Sequence, residues 1–132
     1  GPYSLHKKSL IHNAIKSNMI GERLKINGDG KSKWDFIYVE DVCRIIYKLI
    51  KSKSDIYNVG TGKSYSILDI LNILKKNNNC PNIFYSTSNK NEVRTVKISN
   101  KKIKNKLNVN HKFFTNVDIG ISKTISWYKN NF

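Results

Sequence analysis

Residues 27–42, "NGDGKSKWDFIYVEDV", carry more structural signals than any other stretch of this chain. Residues 27–30 predict a tight turn, because two glycines flank an aspartate. Residues 34–39 are rich in aromatic and β-branched side chains and predict a strand, and their nearly continuous apolar character predicts burial on both faces, as in a parallel sheet. Glu40 and Asp41 predict the first turn of a helix, where the helix dipole favours acidic side chains.

The glycine-rich turn does not fit a calcium-binding loop. Counted from Asn27, such a loop needs a glycine at its sixth position and a glutamate at its twelfth. Ser32 and Tyr38 occupy those positions. We therefore expect a turn without an ion.

Helical and strand-like patterns alternate on both sides of this stretch. Capping signals mark the starts of two predicted helices. Ser66 with Asp69 and Thr115 with Asp118 have the spacing of a capping box. The helix that begins near residue 40 has a predicted apolar stripe, so we expect its members, Cys43 among them, to be buried. The stripe consists of Val42, Cys43, Ile45, Ile46, Leu49 and Ile50. The predicted strands are 23–27, 34–39, 55–60, 83–86 and 95–99, and the predicted helices begin near residues 9, 40, 66, 101 and 115.

The composition predicts one folded domain, residues 1–132. The formal net charge of +15 invites a nucleic-acid interpretation, since basic surfaces bind phosphate chains. Lysine supplies nearly all of this charge, however, and arginine occurs only at Arg23, Arg44 and Arg94, whereas dedicated nucleic-acid binders favour arginine forks. Lysine and asparagine rise together along the whole chain, which is typical of an AT-rich genome. We therefore predict anionic small molecules rather than nucleic acid as partners.

Cysteine use and hydropathy indicate the compartment. The two cysteines are distant in sequence, and neither lies in a CxxC motif, so buried free thiols in a reducing compartment are expected. No apolar run approaches the roughly 20 residues of a membrane-spanning helix. We expect a cytoplasmic protein that does not contact the membrane.

The stretch "YNVGTGKS", residues 57–64, is similar to a phosphate-binding loop but lacks its spacing. A P-loop needs a glycine where Tyr57 stands, so that backbone amides can surround the phosphates. The dinucleotide fingerprint fails as well, because Tyr65 occupies the place of its third glycine. We predict a tight turn from a strand to a helix.

Catalytic and metal-binding patterns are not found either. His6, His12 and His111 have no metal-ligand spacing among themselves, and there is no GxSxG nucleophile elbow. We predict no catalytic residue and no metal ligand in this chain.

Taken in order, four segments resemble the C-terminal part of an NAD-dependent nucleotide-sugar epimerase/dehydratase, in the extended short-chain dehydrogenase family. They are "GERLKINGDGKSKWDFIYVEDVCRIIYKLI", "DIYNVGTGKSYSILDILNIL", "NEVRTVKISNKKIKNKL" and "GISKTISWYKNNF". The resemblance implies an α/β fold: a substrate-binding lobe with short, mostly parallel strands and about five helices, without the N-terminal Rossmann half. It also implies that the glycine-rich NAD loop and the catalytic Tyr and Lys belong to a preceding part. NAD is then the cofactor of a parent enzyme, and this portion alone binds none and is not itself an enzyme.

The resemblance also implies a set of substrate-binding positions. An arginine that grips the diphosphate usually precedes the "DFIYV" segment; Trp34 stands there, beside Lys33. A tryptophan at this point suits packing in a buried strand as well as ligand stacking. Phe36 corresponds to an aromatic beside the nucleotide. A second family arginine corresponds to Asn89, three residues before the acid Glu92, and Arg94 or the nearby lysines could replace it, although a lysine is a point charge and not a planar clamp.

Two alternatives follow. In the first, the chain is the nucleotide-sugar-binding portion of an epimerase/dehydratase. In the second, it is a non-catalytic basic module that binds nucleic acid or another polyanion. In the first case, strands and apolar faces left uncovered without the Rossmann half predict self-association or a homo-oligomer.

Overall fold

The computed structural model describes residues 1–87 and 94–132 and has a mixed α/β architecture. The five α-helices are α1 (Leu10–Ile20), α2 (Val39–Leu49), α3 (Ile67–Lys76), α4 (Lys101–Leu107) and α5 (Val117–Asn131), with a short 3-10 turn at His111–Phe113. The strands are β1 (Arg23–Asn27), β2 (Lys33–Trp34), β3 (Tyr65–Ser66) and β4 (Asn82–Ser86). The prediction of a mixed fold with five helices and parallel strands is confirmed.

Two small sheets organise the chain. β1 and β4 pair in parallel, with Leu24 opposite Ile83 and Ile26 opposite Tyr85. β2 and β3 pair antiparallel, with Lys33 opposite Ser66. A single parallel bridge also joins Lys33 to Thr95. Strand pairing is therefore mixed, since parallel and antiparallel ladders both occur.

One apolar core lies between the parallel sheet and the helices α1, α3 and α5. Burial of apolar side chains stabilises it by about 25 cal/mol per Å² removed from water. The alternating burial of β1 puts Leu24 and Ile26 inside, and α5 contributes the fully buried Tyr128. Its buried members are Ala14, Ile15, Leu24, Ile26, Ile70, Leu71, Leu74, Ile121, Ile125 and Tyr128.

Helix ends agree with their sequence signals, with one correction. Gly21 ends α1 in the left-handed region with φ 71°. Ser66 and Asp69 form the predicted capping box of α3. The predicted box of the last helix is wrong: Asn116 caps α5 by accepting a hydrogen bond from the backbone N of Asp118. The Thr115 hydroxyl instead donates to Asp41, because a buried carboxylate offers it a stronger acceptor.

Three predicted strands are wrong or greatly shortened. Residues 34–39 form a strand only at Trp34 and continue as extended chain toward α2. The predicted strand 55–60 is irregular, and Ile56 in it is 85% exposed. Residues 95–99 contribute only the bridge at Thr95. Local β-propensity was high in all three segments, but a strand also needs a neighbour for its ladder hydrogen bonds.

Helix α2 is apolar on two sides. One side faces inward through Ile45, which is 1% exposed. The predicted stripe also included Cys43, Ile46 and Ile50, and this part is wrong, because Cys43 is exposed and the two isoleucines are 58% and 68% exposed. We call the residues Val39, Cys43, Ile46, Tyr47 and Ile50, which share one helix face, the outer face of α2.

Two further expectations depend on exposure and hydropathy. Cys80 is exposed like Cys43, so the prediction of buried thiols is wrong. Among residues 1–87 and 94–132, no helix combines the length and the apolar character that a membrane span requires.

Candidate functional site

The turn at residues 27–30 and strand β2 attach to the start of α3 through the backbone. The Gly30 carbonyl accepts from Leu68 N at 3.1 Å, and the Ser32 carbonyl accepts from Ile67 N at 3.2 Å. Gly30 has φ 74°, and a Cβ placed on it would lie 3.0 Å from the Leu68 side chain. Glycine is therefore required there for conformation and for close packing.

Lys33 lies at the centre of the candidate site. Its backbone N donates to the Arg94 carbonyl, and its carbonyl accepts from Val96 N, each at 2.8 Å. This ladder brings Arg94 beside Lys33 across 61 sequence positions, counted from the printed numbering. Both side chains are exposed. Because Lys33 is bridged to Thr95, the side chains of Lys33 and Arg94 leave the ladder on opposite faces, and we call this pair of residues the cationic edge of β2.

Trp34 is 39% exposed and pairs across the sheet with Tyr65. This exposure does not fit a strand that is buried on both faces. Cross-strand partners lie on the same face of a sheet, so the two aromatic side chains are neighbours. Phe36 is half-buried and packs against the core. Asn89 and Glu92, the remaining predicted site residues, lie outside the described residues.

Asp35 fixes the turn at residues 60–62. Its carboxylate accepts from Thr61 N at 2.9 Å, Thr61 Oγ1 at 2.6 Å and Gly62 N at 2.8 Å. The backbone N of Ile98 adds a longer contact of 3.4 Å. Charge-assisted bonds of this kind are about twice as strong as neutral ones. Sequence reasoning missed this role, because an acid inside an apolar stretch does not reveal a partner 26 positions away.

Asp69 is a second acid with a defined partner near β2. The Ser66 hydroxyl and then the Ser66 backbone N–H lower the pKa of the Asp69 carboxyl, and the charge of Lys33 acts in the same direction. The capping box therefore keeps this carboxylate ionised beside the cationic edge of β2.

The histidines lie apart from this site. His12 is buried, with Nδ1 2.7 Å from the Tyr128 hydroxyl, whereas His6 and His111 are exposed. Among residues 1–87 and 94–132, no three or more His, Cys, Asp or Glu side chains gather closely enough to hold a metal ion.

The Gly60–Gly62 turn does not fit a dinucleotide. A pyrophosphate approaches such a loop where its glycines lack a Cβ. At Gly60 that space is filled: an added Cβ would lie 2.7 Å from Ile98 Cβ and 3.0 Å from an Asp35 carboxylate oxygen. The prediction of a tight turn rather than a nucleotide loop agrees with this packing.

These features define an α/β architecture in which a glycine turn, a short strand and an aspartate-fixed turn lie next to the cationic edge of β2. The sequence model of the NAD dependent epimerase/dehydratase family matches residues 1–60. A putative UDP-glucose 4-epimerase of Methanocaldococcus jannaschii is 30% identical over 107 residues, which are 80% of this chain and 34% of that protein. A dTDP-glucose 4,6-dehydratase of Escherichia coli is 29% identical over 99% of this chain and 40% of its own length.

The fold agrees with these relatives. A UDP-glucuronic acid 4-epimerase of Bacillus cereus, solved in complex with UDP-glucuronic acid and NAD, superposes with a TM-score of 0.81 at 23% identity. The match covers 95% of this chain and 41% of that structure. The family model and these relatives support a member of the NAD-dependent epimerase/dehydratase family, and the chain spans less than half the length of these three relatives.

Proposed function

We propose that this chain, residues 1–132, is the nucleotide-sugar-binding portion of an NAD-dependent sugar-nucleotide epimerase/dehydratase. The observation that carries the proposal is the pairing of Lys33 with the Arg94 segment, which gives β2 an exposed cationic edge beside Trp34. A diphosphate would contact that edge, and the aromatic pair Trp34 and Tyr65 would contact a base or sugar face.

The cofactor and the catalytic residues would be supplied by another part of the protein. Two observations support this division. The Gly60–Gly62 turn is filled by Ile98 and Asp35 and has no room for a dinucleotide. The outer face of α2 is apolar and exposed, as expected for a helix that is covered on both sides in a larger assembly.

The relatives support the class of substrate. Two proteins of this fold have been solved with a nucleotide sugar and NAD bound together. One complex contains UDP-glucose and the other contains UDP-glucuronic acid. We therefore expect a nucleotide diphosphate sugar as the ligand, with the diphosphate rather than the sugar supplying most of the attraction to a chain of this charge.

The test is a calorimetric titration of the chain with UDP-glucose and, separately, with single-stranded DNA at low and high salt. Saturable binding of UDP-glucose that weakens in Arg94→Ala and Lys33→Ala is expected, with Lys53→Ala, an exposed lysine distant in sequence, as the matched control. Steeply salt-dependent DNA binding together with no effect of UDP-glucose would contradict the proposal and favour a polyanion-binding module.

A further inference from the structure

A polar cleft lies between the turn that contains Thr61 and the segment that leads into α5. Its volume is ≈ 190 Å³. Phe36 and Tyr65 form its aromatic part, and Phe36 is also one of the predicted substrate-binding residues. The other lining residues are Thr61, Lys63, His111, Lys112, Phe114, Thr115, Asn116 and Val117. We call this the 61/115 cleft.

Both walls of the 61/115 cleft are held by aspartates beneath them. Asp35 binds the backbone N of Thr61 and of Gly62 in one wall. Asp41, which is fully buried, binds the backbone N and the hydroxyl of Thr115 in the other, at 2.7 and 2.8 Å. Thr61 and Thr115 are 54 positions apart in the printed sequence, yet each is held by an aspartate. A preformed cleft binds a ligand with little loss of conformational entropy.

The ionised side chains that line the cleft are all cationic. Lys63, Lys112 and His111 are exposed at its rim, and none of its ten lining residues is acidic. Neither lysine takes part in the four ion pairs found among residues 1–87 and 94–132.

The acids nearest to the cleft already have partners. Asp35 accepts from the backbone and hydroxyl of Thr61 and from Gly62, and Asp41 pairs with Arg44 as well as with Thr115. Asp118, in the first turn of α5, accepts from the Asn77 side chain on α3. Within the described part of the chain, only Asp41 has a cationic partner, whereas Asp35 and Asp118 keep their charge and are held by neutral donors. Lys63 and Lys112 are the ionised side chains that line the cleft itself.

We infer that the 61/115 cleft binds a phosphate group. Lysine ammonium groups act on phosphate as mobile point charges, whereas a carboxylate is best recognised by an arginine fork, which the cleft lacks. The aromatic side chains of Phe36 and Tyr65 would contact the part of the ligand attached to the phosphate. Tyr65 lines this cleft and also pairs with Trp34, but Lys63 and Lys112 are distinct from the Lys33–Arg94 edge, so phosphate binding at the cleft does not depend on the proposed function.

The experiment follows the backbone amides of the isotope-labelled chain by NMR while inorganic phosphate is added at constant ionic strength. Saturable shifts confined to residues 61–65 and 111–117 are expected. Lys63→Ala and Lys112→Ala should each weaken phosphate binding by about tenfold, as for the loss of one charge-assisted contact. Lys53→Ala, in the loop after α2, is the matched control and should leave the affinity unchanged.

A parallel titration with UDP-glucose distinguishes free phosphate from a nucleotide as the source of the group. Shifts at the cleft with both ligands assign the site to a phosphate of the nucleotide, and shifts with inorganic phosphate alone assign it to a separate phosphate. The inference is overturned if phosphate shifts amides near lysines throughout the chain without saturation, or if the two lysine variants bind phosphate as the unsubstituted chain does. If Arg94→Ala loses UDP-glucose binding but still binds phosphate, the Lys33–Arg94 edge and the 61/115 cleft act as independent sites.

Discussion

Asp41 and Thr115 are joined by two hydrogen bonds across 74 sequence positions. Arg44, one turn along α2, pairs with the same carboxylate and also donates to the Phe113 carbonyl at 2.8 Å. The Arg44 guanidinium lies 4.6 Å from the centre of the Phe113 ring, within the range of a cation–π contact. One fully buried acid thus attaches α2 to the segment that precedes α5.

Replacing Asp41 by alanine should destabilise the fold strongly. The change leaves the Thr115 backbone N and the Arg44 guanidinium without their acceptor, which costs about 3 kcal/mol in the free energy of unfolding. Urea denaturation measures this loss. Asp55→Ala is the control, because its carboxylate pairs with Lys102 at a partly exposed position and should leave the unfolding midpoint nearly unchanged. Equal effects of the two substitutions would refute the role of Asp41.

Substituting two glycines of the same backbone conformation measures the cost of backbone strain separately from the cost of a packing clash. Gly21 and Gly30 both have positive φ, of 71° and 74°, but an added Cβ meets nothing within 4 Å at Gly21 and meets Leu68 at 3.0 Å at Gly30. Gly21→Ala should therefore cost about 1 to 2 kcal/mol from the left-handed conformation alone. Gly30→Ala should cost clearly more in the same thermal denaturation experiment. The packing argument fails if the two costs are equal.

Stability should fall on mild acidification because of His12. Burial, followed by the charges of Lys16 and His6, lowers the pKa of His12 below its ordinary value of 6.5. The folded state therefore binds the proton less readily than the unfolded state, and the contribution of neutral His12 is present above pH 6.5 and lost as the pH falls toward the folded pKa.

The measurement is the free energy of unfolding by urea at pH 7.5 and at successively lower pH values. His12→Gln should flatten the dependence just below neutrality, because glutamine does not titrate. His6→Gln is the control, since the exposed His6 is only a minor cause of the shift. An unchanged pH profile in His12→Gln would assign the dependence to other groups.

The outer face of α2 should drive self-association of this chain. Ile46, Tyr47 and Ile50 are 58%, 78% and 68% exposed on one helix face, and contiguous exposed apolar surface favours association in water. Ile46→Ser combined with Ile50→Ser should shift the chain toward the monomer in sedimentation velocity. Ile20→Ser, at the 43% exposed end of α1, is the control and should have no effect. A monomer at high concentration before any substitution would contradict the prediction.

The sequence predicted those parts of the fold that depend on local signals. Helix periodicity, the Gly21 stop and the Ser66–Asp69 capping box act within a few residues, and the structure contains all three. The segment 34–39 was misassigned because β-propensity does not reveal whether a partner strand is within reach. The exposure of Cys43 was missed for a related reason: a helix that is apolar on two sides does not reveal which side lies inward.

The candidate site was predictable in part. Lys33, Trp34 and Arg94 were identified from a resemblance in order and spacing, and the backbone ladder that joins Lys33 to Arg94 is consistent with their grouping. Asp35 and Asp41 were missed as fixing residues, because their partners Thr61, Gly62 and Thr115 are determined by tertiary packing. Asn89 and Glu92 stay predictions.

The two glycines of the Gly60–Gly62 turn are constrained by different neighbours and should diverge differently during evolution. At Gly62 the main constraint is the backbone, with φ 75°, which asparagine also tolerates, and an added Cβ would lie 3.3 Å from the Asn100 side chain. At Gly60 the main constraint is the Ile98 side chain, with an Asp35 carboxylate oxygen beside it, so a larger residue there requires a smaller side chain at position 98. Positions 60 and 98 should therefore covary among homologues, while position 62 should vary independently of position 98. An alignment of homologous sequences would then be enough to show that a glycine pattern similar to a nucleotide loop serves packing.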